Sequence, residues 1–123
     1  MRALVVDDSR TVRLILRKIL QEMGTDVVEA GDGLEAIEQL QRNPDIELVL
    51  VDWNMPVMNG LDFILAVRAQ AAFDSVRIVM VTTETEGEQV ARALRAGANE
   101  YVMKPFTKEV LVAKLSLLDA FRE

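Results

Sequence analysis

Apolar residues along this chain follow two patterns in alternation: short unbroken runs, and longer stretches with a helical repeat. The runs at residues 3–6 and 48–51 contain only Ala, Leu and Val, and the run at 76–81 is interrupted only by Arg77. Unbroken runs of this length predict strands buried on both faces, as in a parallel sheet. Residues 26–30 and 101–103 are further strand candidates. Between the first two strands, Val12, Ile15, Leu16, Ile19, Leu20 and Met23 recur at helical spacing, so an amphipathic helix is predicted there. Asp8 or Ser9 can cap its start and Gly24 can end it.

Leu34, Ile37 and Leu40 predict a second helix after the Gly31-Asp32-Gly33 turn, stopped at Asn43-Pro44. The stretch 53–60, with Pro56 and Asn59-Gly60, reads as a loop. A third helix begins near Leu61, shows Ile64 and Leu65, and ends between residues 70 and 73. A fourth covers 86–96 and stops at Gly97, and a fifth covers 107–121 with Thr107 as its cap. Five strand-helix units in succession predict an α/β fold, doubly wound around a five-stranded parallel sheet. No repeat, low-complexity segment or linker divides the chain, so residues 1–123 are read as one domain.

The chemistry lies where the apolar runs stop. Asp7 and Asp8 follow the first, Asp52 the third, Thr82 and Thr83 the fourth, and Lys104 with Pro105 the fifth. Parallel α/β sheets bind ligands outside the carboxyl ends of their strands, so these residues are expected to converge on one edge. Carboxylates at the ends of buried strands are costly without a cation. A divalent-metal site is therefore the first hypothesis. Hard cations such as Mg²⁺ commonly combine carboxylates with phosphate oxygens, and the set as a whole points to phosphoryl chemistry.

Composition narrows the choice. Half of the 123 residues are apolar and 28% are charged, an ordinary globular balance. A net charge of −6, with 14 scattered Lys and Arg, argues against nucleic-acid or membrane-surface partners. The absence of Cys excludes disulfides and thiolate chemistry, and the absence of His removes the commonest zinc ligand and general base. No apolar stretch approaches the roughly 20 residues that span a bilayer, and Met1 leads directly into a strand, which makes a cytoplasmic protein the expectation.

With Asp7, Asp8, Asp52, Thr82, Lys104 and Pro105 at strand ends, the chain resembles the receiver domains of two-component response regulators over almost its whole length. Residues 52–56 (DWNMP), Gly60-Leu61, Met80-Val81-Thr82, Gly97-Ala98 and 101–107 make it most similar to the stand-alone chemotaxis regulators of that family. The resemblance implies a flavodoxin-like three-layer sandwich with strand order 2-1-3-4-5. It implies that Asp52 accepts a phosphoryl group from a histidine kinase. Asp8, Asp52 and the backbone carbonyl of Asn54 would ligate Mg²⁺ or Mn²⁺, with Asp7 acting through water. Lys104 would pair with Asp52 and later with the phosphoryl group. Thr82 would donate its hydroxyl to that group while Tyr101 changes rotamer, and the bond between Lys104 and Pro105 would be cis.

Such a domain is a signalling switch that promotes its own phosphorylation and dephosphorylation, not an enzyme acting on other substrates. Its downstream protein target is expected on the face of the fourth helix, fifth strand and fifth helix, at Tyr101, Val110, Leu117 and Phe121. Leu111, Leu115 and Leu118 suffice for the core side of that last helix. Glu84, Glu86 and Glu88 make the start of the fourth helix acidic where the chemotaxis relatives tend to carry lysine, and favour a basic partner. A monomer or a weak phosphorylation-dependent dimer is expected. A Mg²⁺-dependent phosphatase with an Asp nucleophile would need a cap that nothing here supplies. An FMN binder would suffer repulsion from Asp7 and Asp8, and a purely structural adaptor would leave the acidic set without a use. Trp53, on a Pro-bearing loop, is expected to be partly exposed.

Overall fold

The computed structural model describes residues 1–83 and 87–118. Its elements run β1 (Arg2–Val6), α1 (Arg10–Glu22), β2 (Asp26–Ala30), α2 (Gly33–Arg42), β3 (Ile46–Val51), α3 (Gly60–Arg68), β4 (Arg77–Thr82), α4 (Gly87–Ala96), β5 (Glu100–Met103) and α5 (Lys108–Leu115). All strand pairs are parallel, in the order β2-β1-β3-β4-β5. The doubly wound fold and the 2-1-3-4-5 order are those anticipated from the sequence.

Strand residues point alternately to opposite faces, so each buried run feeds two cores. Ala3, Val5, Leu48, Leu50, Val79, Val81 and Val102 meet Leu16, Ile19 and Leu20 of α1 and Leu111 and Leu115 of α5. Leu4, Val6, Val49, Val51, Ile78 and Met80 meet Ala36 and Leu40 of α2, Phe63, Ile64 and Val67 of α3, and Ala93 of α4. Continuous hydrophobicity in the strands thus reflects burial on both faces. Side-chain caps start four of the helices. Ser9, Asp32, Asn59 and Thr107 accept from the backbone N–H groups of Val12, Glu35, Asp62 and Val110 at 3.3, 2.9, 2.8 and 3.1 Å. Ser9 is therefore the cap of α1, which leaves Asp8 free for other work.

Three boundaries differ from expectation. α3 stops at Arg68, ahead of a 3-10 turn over Ala71–Phe73, because the Arg68 guanidinium donates to the carbonyls of Phe73 and Val76 at 3.0 and 2.7 Å and folds the following chain back. β4 includes Thr82, whose residue position pairs with Met103. α5 ends at Leu115, short of 121: the Ser116 hydroxyl donates to the Val112 carbonyl at 2.7 Å, and Leu117 and Leu118 bond to carbonyls three residues back. Glu84, Glu86 and Phe121 lie outside the described residues. No helix among those described is long and apolar enough to cross a membrane.

Trp53 corrects a further expectation: it is buried, at 8% exposure. It belongs to the same buried cluster as Val51, Phe63 and Ile64, and the Gly60 N–H donates to its carbonyl at 2.9 Å, which ties this part of the loop to the start of α3.

Candidate functional site

Strand register sets up the site. Val6 pairs with Ala30 and Val51, and Val51 pairs with Met80, so the next residues of β1 and β3, Asp7 and Asp52, emerge side by side at the carboxyl edge. Their backbones continue the ladder, Asp7 N–H donating to Ala30 at 3.2 Å and Asp52 N–H to Val6 at 3.0 Å. Asp7 and Asp52 are buried and Asp8 is exposed. One carboxylate oxygen from each of the three lies within 4.8 Å of the others.

Lys104 enters from the end of β5, with its N–H donating to the Thr82 carbonyl at 2.9 Å. Its ammonium donates to Asp7 at 2.7 Å and lies 3.6 Å from Asp52. The family pattern pairs this lysine with the acceptor, whereas here Asp7 is the nearer partner. The other Asp7 oxygen accepts from the Ser9 N–H at 2.8 Å. The peptide bond between Lys104 and Pro105 is cis.

Burial pushes the Asp52 carboxyl above its ordinary range, and the charge of Asp7 adds to that push. The Lys104 ammonium, a hydrogen bond from the fully buried Thr82 hydroxyl and one from the Trp53 N–H act against it. Three carboxylates and one ammonium leave two negative charges uncompensated when all are ionised. An all-oxygen donor set with that excess fits a hard divalent cation. Asn54 lines a cavity of about 540 Å³ together with Asp8, Trp53, Met55, Pro56 and Asn59.

The loop carrying Asn54 is drawn tightly over β3. A Cβ on Gly60 would lie 2.2 Å from the Asp52 carbonyl oxygen, and the Gly60 N–H donates to Trp53 at 2.9 Å. Only glycine permits that approach. Between them, Val57 takes φ +67°, while Met58 N–H donates back to Pro56 at 2.7 Å. A β-branched residue is strained there.

Asp7, Asp8, Asp52, Thr82 and Lys104 are thus brought together. Tyr101 lies on the edge strand β5, buried at 8% exposure, with Val110 exposed on α5, Leu117 exposed in the turn that follows it, and Glu88 exposed in the first turn of α4. Sequence reasoning passed over Arg13. Its guanidinium donates to the Asp7 carbonyl at 2.6 Å and to Glu29 at 3.0 Å, and Arg17 reaches the other Glu29 oxygen at 2.5 Å. In sequence Arg13 is one more charge on the polar side of an amphipathic helix. The signal for it was a helical Arg pair, one turn apart, opposite a lone Glu inside a strand.

Comparisons with known proteins agree with this geometry. Residues 3–116 match the family model described as response regulator receiver domain. The chain is 47% identical over 119 residues to the chemotaxis protein CheY1 of Helicobacter pylori, covering 96% of each. It is 47% identical over 116 residues to a chemotaxis protein CheY homolog of Campylobacter jejuni, covering 94% of this chain and 89% of that one. Among solved structures, chemotaxis response regulator CheY4 of Vibrio cholerae superposes with a TM-score of 0.88 at 37% identity, covering 94% of this chain and 96% of that one. Sequence likeness across nearly the whole length, on a shared fold, settles the classification: the chain belongs to the response regulator receiver-domain family, the switches of two-component signalling.

Proposed function

We propose that Asp52 accepts a phosphoryl group from a histidine kinase, and that residues 1–123 act as one receiver unit signalling through a change of surface shape. The observation that carries this reading is the cluster of Asp7, Asp8 and Asp52, with oxygens within 4.8 Å of one another beside the Lys104 ammonium. Mg²⁺, or Mn²⁺ in its place, held by Asp8, Asp52 and the Asn54 carbonyl, would supply the positive charge that offsets repulsion between carboxylate and phosphate.

The remaining roles fall to the chain itself. An ionised Asp52 oxygen attacks phosphorus, the bond from phosphorus to the donor imidazole nitrogen breaks, and that nitrogen leaves with the electron pair. Lys104, 3.6 Å from Asp52, stabilises negative charge on the transferred group. Thr82 already donates to Asp52 and supplies the same hydroxyl to a phosphoryl oxygen. Asp7 holds the Lys104 ammonium in place at 2.7 Å. Positioning and charge stabilisation are the main demands of phosphoryl transfer. Attack by water on the acyl phosphate returns the free carboxylate, so the same residues promote dephosphorylation.

The output runs from Thr82 to Tyr101 and onward to the face of α4, β5 and α5, where Val110 and Leu117 are exposed. Glu88, with Glu84 and Glu86 beside it in sequence, selects a basic partner. The names of the relatives support a place in chemotaxis, with the chain acting in the cytoplasm as a monomer or weak dimer.

Incubation with Mg²⁺ and acetyl phosphate, followed by intact mass measurement, tests the chemistry. One phosphoryl group should be gained by the wild type and none by Asp52→Asn or without metal; an adduct mapped to another residue overturns it. Titration with beryllofluoride under NMR tests the readout. Amide shifts should reach Tyr101 and α5, and shifts confined to the loop after β3 would place the output elsewhere.

A further inference from the structure

Between α3 and α4 lies a groove of about 320 Å³ lined by Leu61, Leu65, Arg92, Arg95 and Ala96. Leu65 is half exposed. Arg92 and Arg95 stand exposed above this floor. Among the described residues neither meets a carboxylate within ion-pair distance, and the one side-chain bond of Arg92 is a long one, 3.4 Å to Gln89.

Two guanidiniums that meet no carboxylate among the described residues thus stand over the half-exposed Leu65 and the partly buried Leu61. A cation in the last helical turn is favoured by the helix dipole, which accounts for Arg95; Arg92 lies before that turn. Nor is the groove a loose seam. Arg68, at the end of α3, donates to the Gly97 carbonyl at 3.0 Å and to Asn99 at 3.0 Å, locking the carboxyl end of α4 to α3. Gly97, at φ +123°, leaves room for that arginine: a Cβ there would lie 2.5 Å from Arg68 Cγ. A surface whose walls are already fixed loses little entropy when a partner docks.

We infer that the groove between α3 and α4 is a docking site for an acidic amphipathic segment of another protein, one or two apolar side chains seated on Leu61 and Leu65 and carboxylates forked by Arg92 and Arg95. Guanidinium geometry suits carboxylates, and an apolar anchor with a charged rim is how short helical segments dock. This surface is distinct from the face of α4, β5 and α5, and its charge selects the opposite partner. Α4 therefore carries two recognition signs, acidic at its start and basic toward its end. Because α3 and α4 are clamped by Arg68, docking here is independent of the phosphorylation state.

A displayed library of random 14-residue peptides, selected on the wild-type chain and counter-selected on the double variant Arg92→Glu/Arg95→Glu, tests the inference. Enriched sequences should combine Leu, Ile or Phe with at least two Asp or Glu at helical spacing. The synthesised peptides should shift the amides of Leu61, Leu65, Arg92, Arg95 and Ala96, and bind the double variant roughly tenfold more weakly or worse. Their affinity should fall with added salt and be unchanged by Mg²⁺ and beryllofluoride. Both arginines are exposed, so the double variant should stay folded, its melting temperature lowered only by the lost dipole interaction of Arg95 and by the new like-charge neighbour of Glu88. Enrichment of neutral or basic sequences, equal binding to the double variant, or shifts elsewhere would overturn the proposal. Self-association in sedimentation that the double variant abolishes would do so too, in favour of a second copy. Since none of these readouts uses phosphoryl transfer, the outcome is independent of the role proposed for Asp52.

Discussion

Asp52 is held in an environment that disfavours its charge. Burial raises its pKa, so the folded chain binds this proton more readily than the unfolded chain. The sign follows: the penalty is present above the raised folded value and vanishes below the ordinary carboxylate range. Asp52→Asn should therefore stabilise the metal-free protein at about pH 7 and leave it unchanged at about pH 3, as urea melts at the two pH values would show. A destabilised variant at neutral pH would contradict the buried-charge account. Val57 is the second residue whose local state is unfavourable. A β-branched side chain at φ +67° is strained, and at 74% exposure it gains little from packing. Val57→Asn, with a residue that tolerates the left-handed region, should raise stability by about 1 kcal/mol in the same melts.

At the scale of elements, the tie between α1 and β2 passes directly behind the acidic cluster. Burial pushes the Glu29 carboxyl upward, but Arg17 and then Arg13 outweigh it and hold the pKa below the ordinary range. Its contribution is thus complete above the ordinary carboxylate value and is lost as the pH falls through the lowered folded value. Glu29→Gln should cost about 1 kcal/mol near neutrality and nothing in strong acid. Arg13 and Arg17 divide the functions of this tie. Arg13→Ala removes the bond to the Asp7 carbonyl and should weaken Mn²⁺ binding as well as stability, whereas Arg17→Ala, which among the described residues reaches only Glu29, should lower stability alone. Mn²⁺ titration of both variants beside thermal melts separates them; equal loss of metal affinity would remove the positioning role of Arg13.

For the molecule as a whole, uncompensated charge at one edge of the sheet makes stability depend on the cation. A ligand bound only by the folded state adds about 2.7 kcal/mol at a hundredfold excess over its Kd. MgCl₂ should raise the melting temperature beyond NaCl of equal ionic strength, and Asp8→Ala, a substitution of an exposed residue, should remove most of the difference. The layout behind this dependence was legible in the sequence where chain-local physics decides it. Runs such as 48–51 are too apolar to face water on either side, helical spacing fixes one buried stripe on α1, and Ser9 and Thr107 cap their helices through bonds spanning three residues. Placing Asp7, Asp8, Asp52, Thr82 and Lys104 at strand ends needed nothing more, because parallel strands share one carboxyl edge. Contacts between elements distant in sequence were decided only by the tertiary structure. Trp53 is buried among residues of α2 and α3, and nothing local to Pro56 demands that. Lys104 lies nearer to Asp7 than to Asp52, and Arg13 supports the Asp7 backbone, because differences of an ångström or less in how helix and strand pack decide such contacts and periodicity does not specify them. The sequence determined which groups reach the edge; the packing of distant elements determined which of them touch.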